Sequence, residues 1–86
     1  MAFMRKGDST NAIATLSAFL KEKPEDVRAW HLRAQMRGLT GDAEGAISDF
    51  GEAIQRNPKS PYLAEERGML LFRRNEIEKA LIDFDR

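Results

Sequence analysis

Residues 30–58, WHLRAQMRGLTGDAEGAISDFGEAIQRNP, decide the fold. Apolar Ala29, Trp30, Leu32, Ala34, Met36 and Leu39 recur mostly at helical spacing, which predicts a helix over 26–39. Gly41 tolerates the positive φ that ends a helix, and Asp42 offers an N-cap for the next one. Ala43, Ala46, Ile47, Phe50, Ala53 and Ile54 then form an i, i+3, i+4, i+7 stripe, a second helix over 43–56 with one apolar face. Asn57-Pro58 closes it.

Outward from this stretch the pattern repeats. Pro24 and Pro58 are 34 residues apart. At the same offset Gly7-Asp8 falls on Gly41-Asp42, Ala12-Ile13 on Ala46-Ile47, and Arg33 on Arg67. Glu44 falls on Glu78, Ala46 on Ala80, and Asp49-Phe50 on Asp83-Phe84. Self-similarity at one fixed offset marks a repeat architecture. Extending the pattern predicts five helices, 9–21, 26–39, 43–56, 60–73 and 77–86, with a helical stub at 1–6. Ser60-Pro61 opens the fourth, Ser as N-cap and Pro in the first turn. Asn75-Glu76 stands where Gly-Asp stood, and Asn is the next most tolerant residue for such a turn. The turns are short, so neighbouring helices are expected to be antiparallel.

Composition narrows the function classes. Eighty-six residues make one small domain. The 14 basic and 14 acidic residues cancel, against the basic excess of a nucleic-acid binder or a membrane-surface helix. No cysteine is present, which excludes disulfides and Cys-type metal sites. No apolar run approaches the ~20 residues of a membrane span. The opening residues place their Lys and Arg after the apolar ones, unlike a signal peptide.

The chain resembles the tetratricopeptide repeat family, whose unit reads W-x₂-L-G-x₂-Y, then A-x₃-F, then P. Trp30, Ala46-x₃-Phe50 and Pro58 stand in register with it; so do Gly68 and Ala80-x₃-Phe84, and so do Gly7, Ala12 and Pro24 with Leu16 in the Phe place. The resemblance covers the whole chain and implies an all-α fold, about 2.5 antiparallel helix-turn-helix repeats stacked as a right-handed α-solenoid. Repeat 1 is partial (1–26), repeat 2 spans 27–60, and repeat 3 is partial (61–86). Departures occur where Arg33 and Arg67 take the Leu place, where Phe3, Arg37 and Leu71 take the Tyr place, and where Phe19 replaces a small residue.

Arg33 and Arg67 recur with Asp49 and Asp83 at the same separation. Each Arg is expected to pair with an Asp, within its unit or across to the neighbour. Trp30, Phe50 and Phe84 read as core, and Ala46, Ala53 and Ala80 as packing residues where helices cross closely. His31 is the sole histidine, with no second His or Cys to share a metal. The sequence predicts no catalytic, cofactor or metal site, and not an enzyme. Glu65-Glu66 and Glu76/Glu78 read as solvated helix faces.

The resemblance implies that first helices line a concave groove for an extended peptide or a partner helix. Carried over, its lining is Arg28, His31 and Gln35 from the second unit and Tyr62, Glu65, Met69 and Phe72 from the third, extended by Met1, Met4 and Arg5. The family's chaperone-binding members clamp a carboxylate; Leu32, Tyr62 and Glu66 in the corresponding places do not suit that role. The expectation is a protein–protein interaction scaffold with a protein or peptide partner, no nucleic acid and no membrane. Two alternatives stand beside it: a self-assembly element that associates through open array ends, and an accessory segment of a larger enzyme.

Overall fold

The computed structural model describes residues 6–84, apart from the side chains of residues 6, 80 and 82–84. Four helices follow in chain order: α1 (Lys6–Glu22), α2 (Val27–Leu39), α3 (Ala43–Arg56) and α4 (Pro61–Phe84). Among the described residues there is no strand. Each helix packs on its neighbour in the chain. The contacts fix their directions. Trp30 near the start of α2 stacks on Arg56 at the end of α3, while Arg37 near the end of α2 reaches Asp42 at the start of α3. Arg74 of α4 likewise meets Glu44, early in α3. Successive helices therefore run antiparallel, an all-α helical-repeat fold.

The α2–α3 turn shows why the quoted stretch folds as it does. Asp42 N–H donates to the Arg37 carbonyl at 2.9 Å and Gly41 N–H to the Gly38 carbonyl at 3.2 Å. These are the paired bonds of a helix end closed by a left-handed residue. That residue is Gly41, at φ 88°, the sole positive φ among the described residues. Asp42 then caps α3 by accepting from Gly45 N–H at 2.9 Å, and Asp26 caps α2 by accepting from Ala29 N–H at 3.0 Å.

The core consists of Ala34, Phe50, Ala53 and Leu63, with Val27, Trp30, Ile54 and Leu70 packed against it. Ala34, Ala46 and Ala53 are fully buried, as expected where helix backbones approach closely. Phe19, oversized for its place in the repeat, is 40% exposed and so adds no bulk to the core.

Asp49 is the polar centre of the stack. It is 1% exposed and accepts from Arg33 Nε at 2.8 Å, Arg33 Nη2 at 2.9 Å and Arg37 Nη1 at 3.0 Å. Arg33 Nη1 donates on to Ser17 Oγ at 3.0 Å, so one carboxylate links α2 and α3 and, through Arg33, α1. This explains the charged residue in an aromatic place of the repeat: Arg37 is there as the second partner of Asp49. The hydrogen bond to Asp49 raises the Arg33 pKa above its ordinary value, against the opposing effect of burial.

Two expected turns do not form. Gly7-Asp8 lies inside α1, which starts at Lys6 rather than residue 9. Met1, Phe3, Met4 and Arg5, with the stub they were expected to form, lie outside the described residues. The expected break at Asn75-Glu76 is also absent, because α4 runs unbroken from Pro61 to Phe84. The Gly41 turn needs a positive φ, and a non-glycine residue adopts it at a cost of about 1 kcal/mol or more. Asn75 stays helical instead, between good helix formers, and Arg74 bridges it by pairing with Glu78 at 3.3 Å. Arg67 and Asp83 consequently share one helix, 16 residues apart. At ~1.5 Å rise per residue that sets their backbones about 24 Å apart; the Asp83 side chain, on which the expected second Arg–Asp pair rests, lies outside the described side chains.

Candidate partner-binding groove

The groove lies between α2 and the first half of α4. Tyr62, Glu65, Met69 and Phe72 recur at steps of three and four residues, which puts them on one stripe of α4. Tyr62, Met69 and Phe72 are 56%, 59% and 68% exposed, an unusual run of open apolar surface. Opposite them, α2 contributes His31 and Gln35, one turn apart.

The groove has two sections. A cleft of about 450 Å³ is floored by Ala34 and Phe50 and walled by Gln35, Leu39, Met69, Leu70 and Arg73. Beside it, Glu65, Met69, Phe72, Arg73 and Glu76 line a second cleft. Of the residues expected to line the groove, Gln35 and Met69 border the first cleft and Glu65, Met69 and Phe72 the second. Leu39 and Arg73 were missed. Leu39 ends its helix at 60% exposed, outside the regular apolar stripe. Arg73 carried no signal beyond its charge, yet it faces both clefts and makes no ion pair among the described residues.

The end of the groove near Tyr62 is closed by a polar and aromatic cluster. His31 Nε2 lies 2.8 Å from Glu66 Oε2, and the two side chains are only 25% and 20% exposed. The His31 ring centre is 5.7 Å from both Phe50 and Tyr62, edge-on to the latter. The Glu66 carboxylate, by hydrogen bonding and by its charge, raises the Tyr62 pKa above the usual tyrosine value. Glu66 is thus no solvated helix face: it ties α4 to α2. His31, Tyr62 and Glu66 are positioned by one another, whereas Arg28 is exposed in the first turn of α2.

Trp30 packs against the core and is fixed by its own contacts. Its Nε1 donates to the Pro24 carbonyl at 2.7 Å, and the Arg33 and Arg56 guanidiniums lie 5.0 and 4.8 Å from its ring. Arg56 Nε donates to the same carbonyl at 2.7 Å, which locks the α1–α2 turn to α3. Among the described residues no group of three His, Cys, Asp or Glu side chains is placed to hold a metal ion. No helix of the described residues is long and apolar enough to cross a membrane.

Comparison with known proteins agrees with the helical-repeat fold. A family model described as "Tetratricopeptide repeat" matches residues 1–61 and again 40–86. A curated protein, "Tetratricopeptide repeat protein 36" of Danio rerio, is 32% identical over 84 residues, covering 93% of this chain and 45% of the relative. The chain thus spans about half the length of the curated relative it matches. No solved structure gives a significant match. Tetratricopeptide repeats generally mediate protein–protein interactions and are typically scaffolds rather than enzymes. With both the repeat geometry and the family model spanning it, the chain belongs to the tetratricopeptide repeat family.

Proposed function

We propose that this chain is a protein-interaction scaffold that receives an extended peptide or a partner helix in the groove between α2 and α4. The observation that carries the reading is the stripe of Tyr62, Met69 and Phe72, more than half exposed on one side of a cleft floored by core residues. Large apolar side chains left open beside a preformed cleft are the usual anchors of peptide recognition. Met69 adds a side chain that can repack around different ligands. Glu66 is engaged by His31, and Arg73, which borders both clefts, is a cation with no ion pair among the described residues. A ligand with one or two apolar anchors and an acidic residue opposite Arg73 fits this lining.

The test is a pull-down with the wild-type chain against Tyr62→Ala/Phe72→Ala, with circular dichroism to establish that the variant keeps its helices. Partner recovery is expected to fall sharply in the variant. Equal recovery would count against the groove.

A further inference from the structure

The cleft floored by Ala34 and Phe50 does not end at α2. It adjoins a third cleft of about 380 Å³, between the start of α3 and the second half of α4, where Gly41, Ala43, Arg74, Ile77 and Glu78 form the walls. Gly38, Leu70 and Arg73 border both. Gly38 is exposed and stands one residue before the end of α2. Its φ is not positive, so no turn requires glycine there. A Cβ at this position would meet no atom within 4 Å, so no close approach of a neighbour requires it either. Glycine nonetheless weakens a helix relative to alanine. What it leaves is bare backbone where two largely apolar clefts meet. One charge at this junction is unpaired. Glu66 holds His31, and Arg74 holds Glu78 and Glu44. Arg73 is exposed and makes no ion pair among the described residues. The acidic Glu65 and Glu76 border the second cleft and neither of these two.

We infer that a peptide held in the groove leaves it in extended form across Gly38, with an apolar side chain in each of the two joined clefts and an acidic residue between them, on Arg73. The inference rests on the groove reading and adds the form and the pattern of the ligand. Alternate side chains of an extended chain point the same way. Two residues, one apart, therefore drop into the clefts while the main chain lies against the bare backbone of Gly38. The residue between them points outward, where the long exposed Arg73 side chain closes over it. A docked helix makes no use of the bare position, because its own main chain stays inside a sheath of side chains ~10 Å across. A carboxylate gives the Arg73 guanidinium the charge-assisted partner that the chain itself does not supply, and a cation in its place is repelled. The recognised pattern is apolar, acidic, apolar.

The test pans a random peptide library on the immobilised wild-type chain, on Gly38→Gln and on Arg73→Glu, with thermal melts of all three. The wild type should enrich an apolar, acidic, apolar triplet. The best peptide should bind Gly38→Gln about tenfold more weakly, because the new side chain blocks the crossing. The melting temperature of that variant should hold or rise, since glutamine is the better helix former. A purely structural glycine would give the opposite pair of results. Selection on Arg73→Glu should replace the acidic residue of the triplet by Lys or Arg. No triplet from the wild type, unchanged binding or a lower melting temperature in Gly38→Gln, or an acidic preference that survives Arg73→Glu would each overturn the inference. The groove reading fails separately. Peptides that weaken in Tyr62→Ala/Phe72→Ala but bind Gly38→Gln like the wild type keep the groove and end its extension across Gly38. Peptides indifferent to both variants end both readings.

Discussion

Replacing Asp49 by Asn keeps the shape of the side chain and removes its charge, which makes it the sharpest probe of what holds the repeats in register. Three hydrogen bonds between 2.8 and 3.0 Å converge on this carboxylate, and its side chain is 2% exposed. Removing one partner of a buried ion pair costs about 3–5 kcal/mol, because the remaining charges stay desolvated. The Arg33 and Arg37 side chains are 13% and 26% exposed, so both can turn partly toward water, and the lower figure of about 3 kcal/mol applies. A domain of this size has only about 4–13 kcal/mol in total. The melting temperature should drop by roughly 12–24 °C, at ~4–8 °C per kcal/mol. Urea and thermal unfolding followed by circular dichroism measure this, and the urea slope should stay unchanged. Arg33→Met should cost more than Arg37→Met, since Arg33 is bidentate and less exposed. The raised Arg33 pKa means its contribution is complete below the ordinary arginine value and is lost only as pH rises through the folded value. The wild-type advantage over Asp49→Asn should therefore hold constant from neutral to mildly alkaline pH. A loss below about 1 kcal/mol, or a larger cost for Arg37→Met than for Arg33→Met, would refute the assignment of Asp49 as the centre of the stack.

Gly51→Ser should raise stability by about 1 kcal/mol, through better helix propensity and a hydroxyl for Arg67 of the kind that Ser17 gives Arg33; a lower melting temperature would contradict the placement of Arg67. Gly45→Ala should do the reverse of what helix propensity alone predicts. Its Cβ would run into the Asp42 carboxylate and come within 3.0 Å of Arg37 Cδ, breaking the α3 cap at a cost of about 1 kcal/mol in a thermal melt. Tyr62 is the sole tyrosine, so ultraviolet titration reads it alone. It should ionise above the usual tyrosine value, and Glu66→Gln should bring the midpoint down. The sign follows from a raised pKa: the neutral form is favoured, and any stability tied to it is present below the ordinary value and lost as pH rises through the folded one.

The helices around the quoted stretch were legible because each boundary there is set by local chemistry. Gly41 and Asp42 are the residues that such a turn and cap require, and the apolar stripe of α3 points to one side. The exposed stripe of Tyr62, Met69 and Phe72 on α4 was legible too, since a stripe at three- and four-residue steps is a property of the sequence. Asn75 was not legible. Whether a tolerant but non-glycine residue breaks a helix depends on what the two halves gain by folding together, and here Arg74 gains a partner on Glu44 by staying straight. The role of Arg37 went unread and Glu66 was misread for a related reason. Their roles come from partners 12 residues away on α3 and 35 residues away on α2, and no periodicity encodes a side chain that reaches across helices.

The most direct test of the groove is to select a peptide from a random library on the immobilised chain and map its contacts by backbone nuclear magnetic resonance. The account predicts shifts concentrated at His31, Gln35, Met69, Phe72 and Arg73, and an affinity loss of roughly thirtyfold in Tyr62→Ala/Phe72→Ala, as for about 2 kcal/mol of lost anchoring. Shifts confined to α1 or to the outer face of α3, with unchanged affinity in that variant, would contradict it.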